Sequence, residues 1–139
     1  CEGVTRGSRP GETRGNPMAS VLVVDAANVV GARPDGWWKD RAGAARRLHE
    51  QLLVADVPGE EVVLVLEGAA KGGVKAGRDA HVRTVHAPKD GDATILAEAR
   101  RAAEKGRSVM VVTADRALAA NVTGAGALVV GPSWLLDRL

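Results

Sequence analysis

Val21-Leu22-Val23-Val24, followed at once by Asp25-Ala26-Ala27-Asn28, decides the fold. Four aliphatic residues without polar alternation read as a strand covered on both faces, as in a parallel sheet with helices above and below it. The signature returns at Val62-Val63-Leu64-Val65-Leu66, Val109-Met110-Val111-Val112 and Leu128-Val129-Val130, with a weaker strand over Val82 to Ala87. Helices are predicted between them. Asp40 to Ala55 places Ala44, Leu48, Leu52 and Ala55 at helical spacing, with Asp40 as N-cap. Asp92 to Lys105 turns Ile95, Ala99 and Ala102 inward and closes at Gly106; Arg116 to Val122 is a short helix. Pro132 opens a last helix through Leu139, in a first turn where its missing N–H is harmless. Strands alternating with helices predict an α/β protein, a three-layer α/β/α sandwich around a mainly parallel five-stranded sheet.

The 139 residues suit one domain, expected over residues 18–139. Hydrophobic residues make up 45% and no apolar run nears the roughly 18–20 residues of a membrane-spanning helix, which argues against the bilayer. Phe and Tyr are absent, so the core must be aliphatic. A net charge of +2 is too mild to announce nucleic-acid binding by itself. The single cysteine, Cys1, excludes an internal disulfide and is compatible with a reducing, cytoplasmic setting. Residues 1–17 hold four Gly, two Pro and almost nothing apolar. They read as a disordered lead ahead of Met18, the expected natural start.

In an open parallel sheet, ligands bind beyond the carboxyl ends of the strands. Asp25 follows the first strand and Glu67 the second; Lys89-Asp90-Gly91-Asp92 follows the third and Thr113-Ala114-Asp115 the fourth. Four of five strand ends thus deliver carboxylates to one edge. Each has an ordinary explanation: Asp92 and Asp115 stand where N-caps belong, Glu67 can face water, and Asp25 can be satisfied by Asn28. Together they repel one another, with only Lys89 and Arg116 near in sequence. A hard dication with oxygen ligands resolves that repulsion. Zinc does not fit, because His49, His81 and His86 lack ligand-like spacing. His49 reads as a surface helix residue, His81 and His86 as structural or RNA-contacting.

The stretch Gly68 to Lys89 carries Lys71, Lys75, Arg78, Arg83 and Lys89 against Asp79. With Gly72, Gly73 and Gly77 it reads as a flexible basic loop, either a solvated surface or a clamp on a phosphate backbone. Trp37-Trp38 is expected to pin its loop to the first long helix, with base stacking as the alternative. Trp134 reads as packing.

Asp25-Ala26-Ala27-Asn28, Asp92 with Ile95, Thr113-Ala114-Asp115-Arg116 and the closing Val129-Val130-Gly131-Pro132-Ser133-Trp134 together resemble the NYN family of PIN-like nucleases. The similarity runs from about Val21 to the C-terminus and is greatest to small stand-alone actinobacterial members. It implies a metal-dependent nuclease, usually a ribonuclease, with Asp25, Asp92 and Asp115 as catalytic metal ligands and Glu67 as a further acid. It implies Mg²⁺ or Mn²⁺ as cofactor and RNA, single-stranded or structured, as partner, with a homodimer allowed. Asn28, Thr113, Arg116, Lys71, Lys75, Arg78 and Lys89 are the expected substrate-side residues. Several relatives carry two consecutive acids at the helix start, whereas Ala93 follows Asp92 here. That departure sustains an alternative, a catalytically degenerate domain that binds RNA or a protein. A phosphatase of the haloacid-dehalogenase type would need a second Asp two residues after Asp25, where Ala27 stands. A receiver domain would need paired acids after the first strand, which has only Asp25.

Overall fold

A computed structural model of the chain describes residues 20–33 and 36–139, the side chain of Trp37 excepted. The expected lead, Met18 and the Pro34-Asp35 pair lie outside the described residues. The elements in chain order are β1 (Ser20–Asp25), α1 (Ala26–Gly31), a 3₁₀ turn (Trp37–Lys39), α2 (Arg41–Val54) and β2 (Glu61–Leu66). They continue with a second 3₁₀ turn (Gly68–Gly73), β3 (Gly77–Asp79), β4 (Val82–His86), α3 (Gly91–Glu104) and β5 (Ser108–Val112). The chain closes with α4 (Arg116–Gly124), β6 (Leu128–Val130) and α5 (Pro132–Leu136).

The sheet has six strands in the order β3-β4-β2-β1-β5-β6. All neighbours are parallel except β3, which pairs antiparallel with β4 at the edge. The fold class is as expected, with one strand more. β3 has the sequence Gly77-Arg78-Asp79 and is exposed throughout, so it carries no apolar signal by which to be read.

Residue parity sorts the core into two layers. Leu22 and Val24 of β1 and Leu64 and Leu66 of β2 pack with Val29, Leu48, Leu52 and Leu135, under α1, α2 and α5. Val21, Val23, Val63 and Val65 point the other way, against Ile95, Ala99, Leu118 and Val122 of α3 and α4. All six residues of β2 are buried, which explains its unbroken hydrophobic run. As the three-layer reading requires, helices cover both faces.

Asp40 caps α2 by accepting the Gly43 N–H at 2.9 Å. His49 is a correction: it is buried on α2, not a surface residue. His81 and His86 are structural. Their Nε2 atoms lie 3.0 Å from the Leu52 carbonyl and 2.7 Å from the Val74 carbonyl, tying α2 and the second 3₁₀ turn's exit to the strands. Trp134 packs against the first core layer, with the Arg138 guanidinium 4.0 Å from its ring centroid. Trp38 is largely exposed. No helix among the described residues is long and apolar enough to cross a membrane.

Candidate active site

Parity also places the acids. Asp25 continues the Val21–Val23 alternation and Glu67 the Val63–Val65 alternation, so both point toward the α3–α4 side of the carboxyl edge. Asp25 is only 2% exposed, and an ionised carboxylate at that depth needs donors. It has them. Thr113 Oγ1 donates to Oδ2 at 2.9 Å, Asn28 Nδ2 donates to the same oxygen at 2.5 Å, and the Asn28 N–H reaches Oδ1 at 3.4 Å. The Thr113 hydroxyl accepts the Asp115 N–H at 3.1 Å, so one buried side chain joins the ends of β1 and β5. Asp115 caps α4 through the Leu118 N–H at 2.9 Å.

Glu67 and Asp92 are brought together by a second link. Glu67 Oε1 accepts the Gly91 N–H at 3.1 Å, fixing the start of α3 against the end of β2. A Cβ at Gly91 would lie 2.8 Å from that oxygen and would push the Glu67 carboxylate aside. The cap of α3 is Asp90, whose Oδ1 accepts the Asp92 N–H at 3.1 Å and the Ala93 N–H at 3.4 Å. This corrects the capping alternative for Asp92. Asp92 lies inside the first turn, exposed, and its carboxylate makes no hydrogen bond among the described residues. Sequence reasoning passed over Asp90, although an Asp immediately before a Gly-Asp helix start is a favourable cap.

The charges interact. The Asp92 carboxyl is pushed above its ordinary value by partial burial and by the negative charges of Asp115, Asp25, Asp90 and Glu67. Asp92 is therefore within electrostatic reach of the three other acids expected at this edge, Asp25, Glu67 and Asp115. The salt bridges among the described residues gather instead on Glu61 and Glu98, at the other end of the sheet. Among the described residues, no three His, Cys, Asp or Glu side chains stand close enough to enclose an ion by themselves.

Two concave surfaces adjoin the acids. A cleft of about 100 Å³ between α1 and the second 3₁₀ turn is lined by Ala26, Ala27, Val30, Arg41, Glu67 and Gly68. A shallow groove of about 520 Å³ runs past Asn28 and Ala114 to Pro132 and Ser133.

The basic residues divide. Lys71 donates to the Ala87 carbonyl at 3.0 Å, just past the end of β4, and Lys89 is exposed just before the cap of α3. Lys75 is exposed beside Val74, whose carbonyl meets His86 at the end of β4, and Arg116 is exposed as the first residue of α4. Arg78 is elsewhere. β3 runs back along β4, and Arg78 pairs with Glu61 at the amino edge, away from the acids. Gly68 to Lys89 is thus a turn and two strands, not one loop. Its second 3₁₀ turn packs so closely on α2 that a Cβ at Gly73 would collide with the Ala42 carbonyl.

A family model described as the YacP-like NYN domain matches residues 22–139. The chain belongs to that family. Two crystal structures of Rae1 (YacP) from Bacillus subtilis are similar in fold to this NYN domain. One superimposes with a TM-score of 0.63 at 23% identity, covering 85% of this chain and 72% of that one. The other, a mutant form, gives 0.58 at 20% identity, covering 85% and 73%. No curated protein matches significantly. The NYN domain has a nuclease-like fold.

Proposed function

We propose that this NYN domain is a divalent-metal-dependent ribonuclease that hydrolyses phosphodiester bonds at the carboxyl edge of its sheet. The observation that carries the proposal is the convergence of Asp25, Glu67, Asp92 and Asp115 on one edge, where the other three acids repel the Asp92 carboxylate, which is free of hydrogen bonds among the described residues. The donor set suits a hard cation: all oxygens, no His or Cys. Mg²⁺ keeps several waters and takes one or two protein carboxylates, so it does not require three ligands in direct contact. Asp25, Asp92 and Asp115 would hold the ion, with Glu67 beside them. When bound, Mg²⁺ or Mn²⁺ neutralises phosphate oxygens and lowers the pKa of a coordinated water.

The chain's own residues supply position. Asn28 and Thr113 fix the Asp25 carboxylate in one orientation, a constraint whose loss around a metal ligand typically lowers activity about 10–100-fold. Glu67 anchors the turn that carries Asp92. Lys71, Lys75, Lys89 and Arg116 surround this edge and offer sequence-blind contacts to an RNA backbone. Single-stranded RNA should be cut in Mg²⁺ or Mn²⁺ and left intact in EDTA, and Asp25→Asn should lower cleavage by about 100-fold or more. Activity that persists in the variant or in chelator removes the metal centre from the proposal.

A second reading has its own support. Ala93 replaces an expected acid, and no three ligating side chains enclose an ion among the described residues. A binding module without catalysis would retain RNA in a salt-dependent manner, uncut, and indifferent to Asp25→Asn. One gel separates the two.

A further inference from the structure

The amino edge of the sheet carries a charged pocket that the carboxyl edge does not use. Its volume is about 220 Å³, between the start of β2, the β3–β4 pair and the last turns of α3. Two carboxylates, Glu61 and Glu98, form its floor, each side chain only 8% exposed. Arg78, Arg83 and Arg107 all donate to Glu61, at 2.6, 3.1 and 3.0 Å, and Arg83 also reaches Glu98 at 2.6 Å. Arg101 of α3 and Lys105, its C-cap, complete the wall.

Charge neutralisation of the floor does not explain so many cations. Five positive side chains stand against two carboxylates, an excess of three. The carboxyl terminus of α3 contributes about half a negative charge, which leaves most of the excess standing. Each guanidinium has five N–H donors in a planar fork, and the four hydrogen bonds to the two glutamates use a minority of them. The Nε of Arg107 is buried without a hydrogen-bond partner among the described residues. Glu61 thus acts as a clasp, holding three arginines in fixed orientation around a concavity. The size is telling too. Pockets for drug-sized ligands run to about 300–1,000 Å³, so this one takes a single small anion rather than a whole nucleoside.

We infer that this amino-edge pocket is a binding site for a phosphate group, either a free phosphate ion or one phosphate of a nucleic-acid backbone. Planar guanidiniums in a fixed array match the oxygens of a phosphate, with paired N–H donors directed at paired oxygens. The site shares no residue with the carboxylate cluster and stands whether or not the chain cleaves RNA.

The test is a titration of the full chain with inorganic phosphate at low ionic strength, following arginine Nε–H resonances by NMR. The Arg83 and Arg107 signals should shift and saturate by millimolar phosphate. The double variant Arg101→Ala, Lys105→Ala removes two wall cations without uncovering Glu61 and should weaken binding about fivefold or more. Arg107→Lys, which keeps a cation on Glu61 but loses the fork, should weaken it as well. Asp25→Asn should bind phosphate as wild type does, which separates this test from the nuclease test. A 2′-O-methyl oligonucleotide that competes with phosphate for the same signals identifies the backbone as the source. Saturable phosphate shifts that the oligonucleotide leaves in place identify the free ion. Absence of saturable shifts with both probes, or equal affinity in the double variant, overturns the site.

Discussion

The two ends of the sheet solve opposite electrostatic problems. At the amino edge, two buried glutamates are matched by more arginines than they need, each fixed by hydrogen bonds of 2.6–3.1 Å. At the carboxyl edge, Asp25 is stabilised by neutral donors, Thr113 and Asn28, and the neighbouring acids push the Asp92 carboxyl upward. The amino-edge glutamates find their counter-charges within the chain. A carboxylate raised by its neighbours' charge, as Asp92 is, is stabilised by whatever positive charge arrives. The difference separates carboxylates neutralised by the fold from carboxylates left open to solution.

The contrast is sharpest in the stability of single variants. Arg83→Ala leaves Glu98 with only its 3.7 Å contact to exposed Arg101 and takes one of three arginines from Glu61. Breaking a buried pair costs about 3–5 kcal/mol, and the two arginines remaining on Glu61 reduce this to about 2–3 kcal/mol in urea unfolding. Thr113→Val at the other edge removes a donor from Asp25 and an acceptor from the Asp115 N–H, and should cost about 1–2 kcal/mol. Should the two losses come in reverse order, the amino edge is not the more strongly paired end.

Acid titration divides the ends by sign. Burial pushes the Glu61 carboxyl up, but hydrogen bonds from Arg83, Arg107 and Arg78 outweigh it and hold it below its ordinary value of 4.5. Its contribution is therefore present above pH 4.5 and is lost as pH falls through the lower folded-state value. Asp92 behaves oppositely, because its carboxyl is raised above the ordinary 3.8. Its ionisation opposes folding once pH rises past that value. Asp92→Asn should accordingly raise the melting temperature at pH 7 without metal, by on the order of 1–2 °C. The gain should vanish below pH 3.8, where the wild-type carboxyl is protonated in both states. Mg²⁺ should stabilise the wild type more than the variant; equal responses would sever Asp92 from the cation.

The layers and the acid edge were legible because period and position carry them. Unbroken Val/Leu runs mark strands buried on both faces, and an acid directly after such a run must lie at the carboxyl end. Three features were not legible. β3 has no apolar residue, and its pairing comes from its neighbour β4 rather than from itself. Direction of travel was the second: the return of β3 along β4 carries Arg78 to the opposite edge, which no count of charge in a stretch can reveal. The burial of His49 depends on which face of α2 meets the sheet, and Ala44, Ala45 and Leu48 leave the width of that face undetermined. Asp90 shows a subtler gap. Two acids flank Gly91, and the backbone at the helix start decides which becomes the cap and which is left for other chemistry.

The length of β1 sets how the two ends act on a charged partner. Six residues at about 3.3 Å each put roughly 20 Å between them, some two Debye lengths at physiological ionic strength. A polyanion near one end then scarcely senses the other. In dilute buffer the screening shell widens past that span, and the chain should turn as a dipole, presenting its arginine end to a polyanion first. Association measured at low salt would therefore report capture in an orientation opposite to the one the proposed cleavage needs.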